Sequence, residues 1–98
     1  MDKYLVKCEV KGTEEMDSYV AIYEMESEAL LAAKESLLEF ETKCGMDRTE
    51  FYFNSAYETL TFEGESFDGK TEQQITICIG PIELGEKIKF YGFTTKGK

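Results

Sequence analysis

The side chains best able to do chemistry in this sequence are carboxylates. Glu14, Glu15, Asp17, Glu24, Glu26 and Glu28 lie within residues 12–33 with no Lys or Arg among them, and Glu35, Glu39 and Glu41 follow. On an extended segment alternate residues stand about 6–7 Å apart, so Glu24 and Glu26 are expected to be spaced like neighbouring phosphates. Glu35 and Glu39, one helical turn apart, repeat that step. A row of this kind attracts the Lys and Arg side chains of a nucleic-acid-binding protein by the same electrostatics that DNA uses. The plain alternative is a solvated acidic face that keeps the chain in solution.

Other chemistry is poorly supplied. The sequence has no histidine, which removes the commonest general base and every Ser-His or Cys-His nucleophile pair. Cys8, Cys44 and Cys78 are odd in number, far apart and set in apolar patterns, so they read as reduced, buried thiols rather than disulfide partners or zinc ligands. Residues 63–72, EGESFDGKTE, offer Glu63, Glu65, Asp68 and Glu72 as oxygen donors, but their spacing misses a calcium loop and Lys70 sits among them. No metal, cofactor or catalytic residue is therefore expected. Tyr52, Tyr57, Phe62, Phe67, Tyr91 and Phe93 could stack on a small ligand, although core packing accounts for most of them. Phe67, beside the Asp68-Gly69 pair, is the best candidate for an exposed aromatic contact.

A formal charge of −9 on 98 residues opposes direct binding to nucleic acid or to an anionic membrane, and favours a basic surface on another protein. The length suits one domain over residues 1–98. Thirteen aromatic residues, seven Phe and six Tyr, argue for a packed core. With no run approaching a membrane span and charges threaded through residues 1–10, neither a signal peptide nor an anchor is expected, and the default location is cytoplasmic.

The elements that must carry these groups follow from periodicity. Residues 27–45 hold the one long helical pattern: Leu30, Ala33, Leu37, Phe40 and Cys44 form the expected buried stripe, widened by Leu31 and Leu38. Ser27 is the expected N-cap, and Gly45 the residue that ends the helix. Period-two alternation predicts strands at 4–10 and 18–24, joined by the polar turn 12–17. Residues 50–62 are strand-like with a change of phase near 54–56, which leaves one bent strand or two. Residues 64–70 contain the Asp68-Gly69 turn, 74–79 form a strand ended by Gly80-Pro81, and 88–93 read as a last strand. Residues 94–98 read as a frayed tail. The expected fold is α+β: an antiparallel sheet of about five strands with one long helix on one face, in the order β-β-α-β-β-β with room for one more strand.

The sequence thus points to a non-enzymatic acidic interaction protein. In its sharper form it is an inhibitor that mimics nucleic acid and occupies a basic, nucleic-acid-binding groove of a larger protein, with Glu14, Glu15, Asp17, Glu24, Glu26, Glu28, Glu35 and Glu39 as contacts. In size, charge and lack of catalytic groups the chain is similar to small acidic phage proteins that block restriction or CRISPR nucleases, a likeness of class and not of motif. The rival reading is a small-ligand-binding or sequestering protein whose aromatic pocket lies at an oligomer interface, for which a homodimer is the simplest assembly.

Overall fold

A computed structural model describes residues 3–83, 85 and 88–93. The alternating segments become β1 (Lys3–Lys11), β2 (Tyr19–Tyr23), β3 (Arg48–Asn54), β4 (Thr59–Phe67) and β5 (Glu72–Ile82), with α1 (Glu26–Cys44) between β2 and β3. All four pairings are antiparallel, and the sheet order is β2-β1-β5-β4-β3. The expected α+β class and element order are those observed. The ambiguous stretch after the helix is two strands, reversed by a turn in which Asn54 accepts the Ala56 amide on its side-chain oxygen and Glu58 takes a positive φ of 54°.

Helix α1 lies on β1 and β5, burying Ala29, Ala33, Ser36 and Phe40 against Val6, Cys8, Ile75, Ile77 and Ile79. Three of the four helix residues are small, so the axis can lie close to the sheet while Phe40 fills the remaining space. Of the expected stripe, Ala33 and Phe40 are buried and Leu37 and Cys44 pack against the same core, but its centre is shifted around the helix. Ala29 and Ser36 are buried, Leu30 lies at the edge, and Leu31 and Leu38 are 56% and 53% exposed. That side of the helix also meets a polar partner on the sheet: the Ser36 hydroxyl shares a 2.6 Å hydrogen bond with the Tyr19 hydroxyl of β2.

The helix also opens earlier than the sequence suggested. Met25, not Ser27, is the cap residue; its backbone is extended and its side chain makes no capping bond. Glu26 and Glu28 supply the negative charge that suits this end, and at the other end the Gly45 amide, at φ 93°, bonds Glu41 O at 2.9 Å.

Three strand boundaries differ from expectation. Residues 64–67 belong to β4, so the turn is confined to 68–71, where Asp68 Oδ1 accepts the Lys70 and Thr71 amides. Gly80-Pro81 does not end β5, because β1 continues beside it through Tyr4↔Pro81 and Lys3↔Ile82. Pairing with β4 stops at Leu60↔Ile79, so proline sits where β5 has a single neighbour, a setting that tolerates its missing donor. Residues 88–93 are not a strand. They form an isolated bridge, Glu83↔Lys89, and a 3-10 turn, Tyr91–Phe93. Phe90 from this segment packs with Leu5, Cys78 and Ile82 on the face away from the helix, and Tyr91 stacks on Tyr57 at 4.1 Å. The expected tail at 94–98 lies outside the described residues.

One helix about 10 Å across cannot cover five strands spanning about 19 Å. It covers the β2-β1-β5 side, and every residue of β3 except Asn54 is exposed. Among the described residues no helix is long and apolar enough to cross a membrane.

The helix placement makes a contrast that denaturant unfolding can measure. Phe40→Ala is expected to cost about 3–5 kcal/mol, whereas Leu31→Ala and Leu38→Ala should each stay within about 0.5 kcal/mol. Comparable losses at Leu38 and Phe40 would contradict the observed rotation of the helix.

Candidate protein-binding face

The acidic residues are carried by two adjacent pieces of structure. Glu14, Glu15 and Asp17 stand on the connection between β1 and β2, which begins at Gly12 with a φ of 85°. A side chain at Gly12 would run into the Glu72 carbonyl, so both the conformation and the close approach to β5 require glycine there. The hairpin is then fastened by Ser18, whose hydroxyl oxygen accepts the Val10 amide at 2.8 Å. Glu28, Glu35 and Glu39 lie on α1. Steps of seven and four residues place them on one side of the helix, next to Ser36 and hence toward β2.

All eight carboxylates proposed from the sequence are exposed, but they do not form one uniform row. Lys3 Nζ donates to Glu24 Oε2 at 2.7 Å and neutralises it. Glu24 and Glu26 also lack the extended spacing expected of them, because Glu26 is already the first helical residue. It lies seven positions before buried Ala33 and so starts the sheet-facing side, off the line of Glu28, Glu35 and Glu39. The other six follow the β2 flank: Glu28, Glu35 and Glu39 along the helix, then Glu14, Glu15 and Asp17 on the hairpin beside its C-terminal end.

Lys43 joins the two groups. Its ammonium lies 2.9 Å from Glu39 Oε2 and donates to the Glu15 carbonyl at 2.9 Å. Hydrogen bonding to Glu39, then the charges of Glu39, Glu15 and Asp17, raise its pKa. Six carboxylates against this one ammonium leave the flank strongly negative. Beside Lys43 an open depression is bordered by Glu14, Glu15, Cys44, Asp68 and Gln73. The Oε1 of Gln73 is buried and has no hydrogen-bond partner among the described residues.

Sequence reasoning missed both neutralising partners: the Lys3–Glu24 pair depends on how β1 and β2 align, whereas Glu39 and Lys43 stand at i,i+4 on one helix, a spacing that the sequence itself offered. It also expected core packing for most of a group of rings that includes Tyr52 of β3. Phe51, Tyr52 and Phe53 are instead 60%, 49% and 54% exposed. The signal available beforehand was the width of the sheet against that of a single helix. Phe67, singled out as an exposed ring, is exposed at the end of β4, next to Asp68, which borders the depression beside Glu14 and Glu15.

The three cysteines are free thiols, with Cys8 and Cys78 buried and Cys44 half-buried. Burial pushes Cys8 up from the ordinary 9.0 to about 11, with a smaller lowering by Ser36 and a raising by Glu39. Tyr52, on the opposite edge, donates to Glu63 Oε2 at 2.8 Å, and that bond, with some burial, pushes it up to about 12.

Comparison of the chain with protein-family models, with curated proteins and with solved structures found no match.

The Cys8 shift has a definite sign. The folded state favours the neutral thiol, so the stabilisation it gives is complete below the unfolded value of 9.0 and lost as pH rises through about 11. Denaturant midpoints should therefore fall across that window, with a shallower fall in Cys8→Ala. In the native protein at about pH 8, a thiol reagent should modify Cys44 first and reach Cys8 at the rate of unfolding. Rapid modification of Cys8 in the folded chain would contradict its burial.

Proposed function

We propose that this chain is a non-enzymatic interaction protein whose acidic β2 flank binds a basic surface of a larger protein. In its sharper form the flank imitates a nucleic-acid backbone and the chain inhibits its partner by occupying a nucleic-acid-binding groove, in the manner of the acidic anti-restriction and anti-CRISPR class. The observation that carries this reading is the grouping of Glu28, Glu35 and Glu39 with Glu14, Glu15 and Asp17 along one side of the molecule. Glu35 and Glu39 are about 6 Å apart along the helix axis, close to the step between phosphates on one strand. On this reading the flank recruits the partner by long-range attraction and excludes nucleic acid by occupancy.

The rival reading, an aromatic ligand pocket at an oligomer interface, draws its support from the open rings of β3. In one chain these rings make a surface and not an enclosure, so the acidic flank is the better-supported site.

The test is capture of partners on the immobilised chain, followed by displacement of a labelled DNA duplex from the captured protein. Binding is expected to be lost by about 0.5 M NaCl and to weaken at least tenfold in the triple variant Glu28→Gln, Glu35→Gln, Glu39→Gln. A partner held equally well in high salt, or equally well by the triple variant, would overturn the proposal. A partner that keeps its DNA when bound would overturn the mimicry.

A further inference from the structure

The edge opposite the acidic flank has a different character. Strand β3 ends the sheet order, and its sequence RTEFYFN carries three consecutive exposed aromatic residues. Proteins ordinarily guard such an edge with proline, a bulge, an inward charge or a covering element. Charged side chains serve too, and β3 has Arg48 and Glu50 in its first half, but its second half, residues 51–54, has none of these among the described residues. Phe51 lies over Phe62 of β4 with ring centroids 5.2 Å apart, and Phe53 is registered opposite Leu60. Both rings therefore extend the helix-side apolar face outward, past the reach of the helix, while Tyr52 extends the other face.

We propose that β3 is a self-association edge, on which a second copy of this chain adds its own β3 antiparallel to form a continuous ten-stranded sheet. Three observations select a second copy. The first is charge: β3 itself carries no net charge, with Arg48 3.6 Å from Glu50 and 3.4 Å from Glu65 of β4, whereas the chain as a whole carries −9. Two copies meeting at β2 would bring their carboxylate rows together, and two meeting at β3 would not. The second is register. Pairing centred on Phe51 sets Phe51 against Phe51 of the second copy, Glu50 against Tyr52, Thr49 against Phe53, and Arg48 against Asn54. All seven residues are used, aromatic rings meet across the two-fold axis, and no like charges are opposed. The third is area: the exposed parts of the three rings and of Arg48, Thr49 and Glu50 come to about 600 Å² per copy at most, which meets the lower limit of specific interfaces when they are fully covered.

The pairing leaves both acidic flanks on the outer edges, facing away from each other, so one assembly would present two protein-binding faces. It does not depend on the flank's proposed role, and its variants leave the flank untouched.

Sedimentation equilibrium at about 100 µM should give twice the chain mass of 11.2 kDa, and Phe51→Lys should return the single-chain mass. Phe51→Cys should form a disulfide-linked dimer on mild oxidation at least tenfold faster than Phe67→Cys, an equally exposed position away from the axis. The cysteine pair keeps the test decisive if Phe51→Lys does not fold. A single-chain mass at every concentration, a dimer unchanged by folded Phe51→Lys, open-ended assemblies, or equal cross-linking at Phe51 and Phe67 would each overturn the proposal.

Discussion

Coverage of a five-stranded sheet by one helix is the constraint on which the rest of this molecule depends. The sequence supplies a single 19-residue helix, and its buried side is set by small residues that allow close approach and by Phe40, which anchors it over β1 and β5. The Ser36–Tyr19 hydrogen bond joins the helix to β2 on the same side. Because the helix is drawn toward β2, it cannot also cover β3, and the apolar face of the sheet runs out from beneath it. The opposite face is closed partly by Ile82 and Phe90 against Leu5 and Cys78, again around the central strands.

This one packing decision separates two kinds of surface. The polar side of the helix that falls next to β2 bears Glu28, Glu35 and Glu39, and the hairpin beyond its end bears Glu14, Glu15 and Asp17. The strand at the far edge bears Phe51, Tyr52 and Phe53 with balanced charge. Charge and exposed aromatic surface are thus placed at opposite edges of one sheet. On the proposed reading, a charged partner at one edge would not meet the apolar edge.

Much of the fold was legible because strand alternation is a local signal. The hairpin around residues 12–17, the Asp68-Gly69 turn and the helix ended by Gly45 all follow from neighbouring residues. What was not legible depended on contacts between distant segments. The rotation of the helix brings Ser36 to Tyr19, and no helical wheel contains that bond. The continuation of β5 through Pro81 depends on β1 lying alongside, and the replacement of a last strand by a 3-10 turn depends on the space over Leu5 and Cys78. At the candidate site, exposure of the carboxylates was predictable from their charge. The Lys43–Glu39 pair was legible as an i,i+4 spacing, but the loss of Glu24 to Lys3 and the reach of Lys43 to the Glu15 carbonyl were not, because they arise from strand pairing and helix docking.

The claim at the centre of this account is that acidic recognition and aromatic surface occupy separate edges. The most direct measurement is two-dimensional NMR of the isotope-labelled chain titrated with an oligoarginine peptide as a basic probe. Separation predicts shifts at the amides of residues 13–17 and around Glu28, Glu35 and Glu39, which fade with added salt, while those of Arg48–Asn54 stay in place. Equal movement of both edges, or shifts confined to β3, would contradict it.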